Sequence, residues 1–374
     1  MMQEQRHRLH RTNAPLGWLW LLIAVALTIS PGLAAAAPAQ PPYSLPNGAE
    51  SPTLQLESPV GPLRYTLGRG LQVGDTPFTL GGYSNVNLLR DEGGPAQLKW
   101  DDLSLFVIAQ PSPRFHLFSE LEFEDLLEID DHGRGGTSNS LFTVERLYGD
   151  ATGSDEINLR VGKFLTPVGR WNVIHAQPLV WTTSRPLVTT LPFDNHVTGA
   201  MLFGSFFPTA GTVSYSLYGQ FVNQFESVEQ PQPADRSAGA RLEYTAPGGL
   251  SLGTSFFAFT HRGDWQQLAG LDTLWQQGRF EVMGEFAYEA APRDPGSQWG
   301  LYLQGVAEVV RRLYLVARYE HFDQRMAAPE VNLFDVGLAY KPLPPLVLKA
   351  EYLIADHRAE ESPPGLKCSF AILF

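Results

Sequence analysis

Phe115-His116-Leu117-Phe118-Ser119-Glu120-Leu121-Glu122-Phe123-Glu124 is the stretch that decides the fold. Phe115, Leu117, Leu121 and Phe123 fall on one parity, and His116, Glu120, Glu122 and Glu124 fall on the other. Successive side chains of a strand point to opposite faces, so this pattern describes a strand with one apolar and one charged face. The pattern recurs outward along the chain. Phe280, Val282, Phe286 and Tyr288 interleave with Glu281, Glu285 and Glu289, and Leu346, Leu348, Ala350 and Tyr352 interleave with Lys349 and Glu351. Sustained helical periodicity is absent.

Alternation and turn residues together predict sixteen strands: 78–90, 97–110, 114–125, 140–151, 156–164, 197–207, 212–225, 236–246, 249–262, 268–277, 279–290, 298–310, 313–324, 331–341, 345–357 and 366–374. Their connections alternate along most of the chain. Pro111 to Pro113, Pro247-Gly248, Gly278, Arg311-Arg312 and Pro342 to Pro344 make tight turns. The segments Leu126–Asn139, Glu226–Asp235, Ala291–Ser297 and Ala359–Gly365 are longer and more polar, and Leu165–His196 is the longest. An even number of antiparallel strands, with short turns at one end and long loops at the other, predicts an all-β transmembrane antiparallel barrel of the bacterial outer membrane. Residues 78–374 form it. A soluble β-sandwich also alternates, but its strands are usually shorter and its connections lack this rhythm. Leu117, Leu121, Phe123, Val282, Phe286, Leu346 and Leu348 are then expected to face lipid. Glu120, Glu122, Glu124, Arg160, Arg241, Glu281, Glu285, Lys349 and Glu351 are expected to line the lumen.

The first residues fit that destination. Arg6, Arg8 and Arg11 precede an apolar run from Leu16 to Ile29, then Ser30-Pro31-Gly32 and the small residues Ala34 to Ala37. This is the order of a secretory signal peptide, expected over 1–39, and the run is shorter than the roughly 20 residues of a spanning helix. Residues 40–77 begin Pro-rich and are expected to form a periplasmic or pore-mouth extension. A strand pair there would raise the count to eighteen. With residues 1–39 removed, three Arg and one Glu leave, and the formal charge moves from −12 to −14. Such a balance argues against a nucleic-acid partner. Cys368 is the single cysteine, so an intrachain disulfide framework and a cysteine zinc site are excluded.

The chain finishes on Leu366, Cys368, Phe370, Ile372 and Phe374 at alternate positions. This resembles the last strand of outer-membrane barrels, where the final aromatic acts as an assembly signal read by the barrel assembly machinery. Phe374 is the corresponding residue here. The stretch Leu159-Arg160-Val161-Gly162-Lys163-Phe164-Leu165-Thr166-Pro167-Val168-Gly169-Arg170, followed by Trp181-Thr182-Thr183-Ser184-Arg185-Pro186, resembles the strand-to-loop passage of sixteen-stranded porins related to the phosphate-selective porins. The resemblance implies passive diffusion of small hydrophilic solutes or ions through a water-filled barrel in a Gram-negative outer membrane. It also implies lipid around the barrel and assembly as a homotrimer. Phosphate-selective members carry an arginine ladder and a lysine cluster, whereas the lumen rows expected here are mostly acidic. The alternative is a barrel with a closed lumen, acting as a structural or surface-interaction protein.

In porins of this kind the third long connection folds inward. Leu165–His196 holds that place, and loops of this length tend to be functional. It is expected to bring Arg170, His175, Arg185 and Asp194 to a constriction, with Trp171 and Trp181 packing it on the wall. The acid excess on the strands predicts weak cation preference, because charged side chains ringing a pore set its selectivity. Enzymatic chemistry is not expected. His196 has Thr198 two residues on but no serine at that spacing, and a nucleophile needs its base within hydrogen-bond reach. The acids of the third and eleventh strands lie on opposite walls, too far apart for the roughly 5–10 Å of paired carboxylate catalysis. No metal or cofactor is expected.

Overall fold

A computed structural model describes residues 53–374, apart from 138–139, 175, 223–233, 262, 292–295, 325–328 and 360. Three short strands come first: β1 (Thr53–Leu56), β2 (Leu63–Thr66) and β3 (Gly70–Gln72). The long strands begin with β4 (Phe78–Asp91), β5 (Ala96–Ser112) and β6 (Phe115–Asp130). A two-residue bridge, β7 (Gly135–Gly136), decorates the β6 connection. Then follow β8 (Leu141–Thr152), β9 (Asn158–Leu165), β10 (His196–Phe206), β11 (Thr212–Gln220), β12 (Arg236–Thr245), β13 (Leu250–His261) and β14 (Asp264–Gln277). The last are β15 (Phe280–Ala290), β16 (Gln298–Val310), β17 (Leu313–Asp323), β18 (Val331–Leu343), β19 (Leu346–Ala355) and β20 (Gly365–Leu373).

β4 to β6 and β8 to β20 pair antiparallel, each with its sequence neighbour, and β20 returns to β4 from Gly365↔Asp91 to Leu373↔Tyr83. The result is a closed barrel of sixteen strands, as the alternation predicts. The eighteen-strand alternative is not adopted: β1, β2 and β3 form a small antiparallel sheet that touches the barrel through Leu71↔Leu80 and Gln72↔Thr79 on β4. Closure leaves no exposed strand edge along the wall, which is what a sheet needs where water cannot satisfy its backbone.

The two faces follow the sequence parity. On β19, Val347, Lys349, Glu351 and Leu353 are buried while Leu348, Tyr352 and Ile354 are exposed. On β6, Phe118, Glu120 and Glu122 are buried and Leu117 is exposed. Exposed Leu, Val, Phe, Tyr and Trp side chains cover the outside, and Trp100, Trp265 and Tyr340 are among them. A slip of one residue in β6 or β19 would turn the buried carboxylates outward, so burial of the charged row pins the register there.

The seam between β4 and β20 also holds the chain terminus. Phe374 donates its N–H to the Gly82 carbonyl at 2.8 Å, and the Gly82 N–H donates to the Phe374 carbonyl at 2.9 Å. Gly82 is needed there, because a Cβ would overlap the Ser104 carbonyl and press the Phe374 ring.

Two outcomes test this seam and wall. Deletion of Phe374 removes both of those hydrogen bonds and is expected to reduce barrel levels in the outer membrane while export continues, measured by fractionation. Leu348→Arg places a charge on the apolar face and is expected to destabilise the folded barrel in lipid by about 2–4 kcal/mol if the residue sits at mid-depth, read from denaturant titration. An unchanged midpoint would refute that placement.

Candidate functional site

The interior is dominated by the chain between β9 and β10, residues 166–195. Two short elements shape it: α1 (Trp171–Ile174) and a 3-10 turn at Leu187–Thr189. β9 and β10 are the fifth and sixth strands of the ring, so β17 and β18 face them across the barrel. The segment reaches that far wall. The Leu187 N–H donates to Glu320 on β17 at 2.8 Å, and the Thr183 and Ser184 N–H groups donate to the two oxygens of Glu351 on β19 at 2.8 and 2.7 Å. The chain therefore crosses the lumen.

Its fastening is mainly from wall carboxylates to loop backbone. Glu285 on β15 accepts from the N–H groups of Arg170 at 3.1 Å and Trp171 at 2.7 Å, and from the Tyr302 hydroxyl at 2.9 Å. Gly169 lets the carboxylate come this close: its φ is +64°, and a Cβ would overlap Glu285. Glu281 accepts from the Trp181 indole N–H at 2.6 Å. Wall cations supply the converse. Lys349 donates to the Gln177 carbonyl at 2.9 Å and the Thr182 carbonyl at 2.9 Å. Arg318 on β17 donates to the Thr182 hydroxyl at 2.6 Å and the Ser184 carbonyl at 3.1 Å, and pairs with Glu320 at 2.7 Å and Asp335 at 3.2 Å. Bonds with one ionised partner are stronger than neutral ones, so this set holds the segment firmly.

The loop residues expected at a constriction divide by role. Arg170 pairs with Asp272 at 2.8 Å and Glu243 at 3.1 Å, so it fastens the loop to β14 and β12. Arg185 turns back on its own segment, donating to the Asn172 side-chain oxygen at 2.7 Å and the Thr189 carbonyl at 2.8 Å. Asp194 is buried and accepts from the His196 N–H at 3.1 Å and the Ala234 N–H at 2.9 Å, tying the loop base to the chain before β12. His175 lies outside the described residues. Trp171 is buried edge-on to Tyr302 at 6.3 Å, and Trp181 packs on Tyr314 at 4.8 Å.

On the wall, Glu120 is buried against Arg146, and Glu122 accepts from Tyr83 at 2.8 Å and Ser104 at 3.0 Å. Glu124 is half-buried beside them on β6. Arg160 makes a two-pronged pair with Asp150 at 2.7 and 2.9 Å and stacks on Tyr148. Arg241 joins Asp272 at 2.9 Å and Glu243 at 2.8 Å. Sequence reasoning did not single out Arg146, Asp150, Glu243, Asp272, Arg318, Glu320 or Asp335. The usable signal was parity: Arg318 and Glu320 fall on the inward row of β17, and Asp335 on that of β18. Nor did the acidic rows announce the apolar interior. Tyr83, Phe106, Phe118 and Tyr148 touch ring to ring in series along one wall, and Val180, Leu187, Val188 and Phe193 of the loop join the same buried cluster as Phe257, Phe322 and Leu333 of the strands.

Space remains beside the loop on the β8 to β12 side. A cavity of about 350 Å³ is bordered there by Arg146, Arg160, Arg241 and Glu243, with Tyr148, Phe203 and Pro167 as apolar walls.

Comparison with known proteins places this architecture. No family model matches the chain. An uncharacterized protein of Aquifex aeolicus is 24% identical over 359 residues, covering 79% of this chain and 80% of that protein. The anion-selective porin from Comamonas acidovorans superposes with a TM-score of 0.58 at 15% identity, covering 80% of this chain and all (100%) of that one. The Salmonella typhi OmpF complex with daunomycin gives 0.57 at 9% identity, covering 80% and 97%. The fold is that of the outer-membrane porins. At these identities the likeness concerns the fold alone.

Glu285 gives the sharpest test of the fastening. Glu285→Ala leaves two backbone N–H groups and the Tyr302 hydroxyl without their acceptor. A buried donor left unmade costs about 1–3 kcal/mol. The variant is expected to unfold at lower denaturant and to be cut faster by protease within 166–195, with Glu285→Gln intermediate. Cleavage at the native rate in both variants would show that the anchor does not hold the segment.

Proposed function

We propose that the protein is a channel of the outer membrane, through which small hydrophilic solutes or ions diffuse passively. The observation that carries this reading is the arrangement of the lumen: chain 166–195 is fastened to both walls of a closed barrel, yet a charged cavity stays open beside it on the β8 to β12 side. A segment anchored this way narrows a passage without needing to move. The apolar outer face fits lipid, and export behind a cleaved signal with insertion by the barrel assembly machinery belongs to the same reading. A homotrimer is the assembly that the sequence resemblance implies.

Charge near the cavity is balanced. Arg146, Arg160, Arg170 and Arg241 stand against Glu120, Asp150, Glu243 and Asp272. That pairing argues against selectivity for phosphate and favours solutes that carry both signs or none. The acid excess of the strand rows is the ground for expecting weak cation preference. A second reading has its own support. The loop's buried apolar cluster with Phe257, Phe322 and Leu333 fills part of the interior, as a closed scaffold would require.

Reconstitution into a planar bilayer separates the two. A channel gives stepwise conductance, and a closed scaffold gives none. In a salt gradient, reversal potentials are expected to show weak cation preference, and strong anion preference would overturn that assignment. Arg170→Ala removes one of the two cations shared by Asp272 and Glu243, leaving them with Arg241 alone, and is expected to raise conductance and cation preference together. If neither changes, the open path does not run past Arg170.

A further inference from the structure

The barrel leaves one structured part without a role: the small sheet of β1, β2 and β3 ahead of it. It sits at the end of the barrel where the short turns lie, because β3 joins the first residues of β4 and the chain terminus at Phe374 reaches the same place. Register sorts its side chains. Leu54 lies opposite Tyr65, Tyr65 opposite Leu71, and Leu71 opposite Leu80; Leu56 lies opposite Leu63. Directly paired residues share a face, so these six form one apolar patch. Gln55, Arg64, Gln72 and Thr79 form the other face, with Thr79 donating to Gln72 at 2.9 Å.

The outer part of the patch is exposed, while Leu63, Tyr65 and Leu71 are half-buried. Leu54 is 66% and Leu56 is 68% exposed, more than Leu348 on the barrel wall at 41%. The patch does not point at random. Leu80 has the same parity as Leu88 on β4, and both belong to the exposed outer row. The leucine face is therefore a continuation of the barrel's outer apolar surface past its rim, and the glutamine and arginine face continues the inner one. The strands are too short to cross a bilayer, since a spanning strand needs about 9–11 residues. Among the described residues β1 pairs with β2. An apolar face joined to the lipid-facing wall, on strands too short to span, fits the membrane surface and not its centre.

We propose that the β1–β3 sheet is an interfacial anchor, lying with Leu54, Leu56, Leu63, Tyr65 and Leu71 against the lipid surface at the short-turn rim and with Arg64 turned to water. This rests on the reading of the barrel as a membrane protein. The test keeps the two apart. Nitroxide labels are placed singly at Leu54→Cys, Leu56→Cys, Gln55→Cys and Leu348→Cys in a Cys368→Ser background of the whole protein. The variants are reconstituted in phosphatidylethanolamine and phosphatidylglycerol vesicles, and oxygen and nickel-chelate accessibilities are measured by power saturation. Leu348 reports the barrel: if its label reads as water-exposed, the membrane reading itself fails. With Leu348 in lipid, the labels at Leu54 and Leu56 are expected to give a several-fold higher oxygen-to-nickel ratio than the label at Gln55. Equal ratios on both faces would overturn the anchor. So would low accessibility to both reagents at Leu54 and Leu56, which would mean that protein covers the patch, whether a second copy or another segment.

Discussion

Backbone hydrogen bonding around a closed ring is the constraint on which the rest depends. Every long strand finds a partner on both sides only because β20 returns to β4, and that return is set by the final residues of the chain. Closure then fixes an inside and an outside. Once the register is pinned, every second side chain must enter the lumen, whatever its chemistry. The interior is thus a mixture: carboxylates, guanidinium groups and large aromatics on one parity, against an outer row that is nearly all apolar.

That mixture explains why the lumen holds an ordered chain. A loop entering a barrel brings backbone N–H and C=O groups that need partners, and a buried unpaired group is costly. Glu285, Glu320 and Glu351 accept from loop N–H groups, while Lys349 and Arg318 donate to loop carbonyls. The wall charges of β15, β17 and β19 act as caps for a segment that has little regular structure of its own. Apolar contacts of Trp171, Leu187 and Phe193 fill the space between these bonds. Arginine and carboxylate pairs near the remaining cavity are shared between wall and loop, as at Asp272, which meets both Arg170 and Arg241. Such sharing links the position of the loop to the charge presented beside it.

The extension ahead of the barrel obeys the same rule of parity. Its paired residues inherit their faces from β4, so a sheet of only a few residues per strand carries the barrel's inner and outer chemistry beyond the rim. The β4 edge serves two partners in series, β20 up to Phe374 and then β3 from Leu71. Gly82 sits where the first of these ends.

Alternation in segments such as 115–124 and 345–357 was enough, by itself, to give the strands of the wall and their faces, because a period of two is a property of the extended chain and needs no tertiary knowledge. Parity alone leaves open whether residues 40–77 add a pair, and the pairing of β1, β2 and β3 with one another decided it. Turn residues gave the long and short ends for the same local reason. The length of 166–195 marked it as the unusual connection. What it touches was decided only by the tertiary structure. Glu281, Glu285 and Glu351 carry the same inward parity as Glu120 and Glu122, yet the first three meet loop N–H groups while Glu120 meets Arg146 and Glu122 meets hydroxyls. Arg170 and Arg185 look alike in sequence, but one reaches strand carboxylates and the other folds onto its own segment. Parity says which side of the wall a residue is on; the partners across the lumen come from strands more than 100 residues away, and closing the barrel is what brings them together.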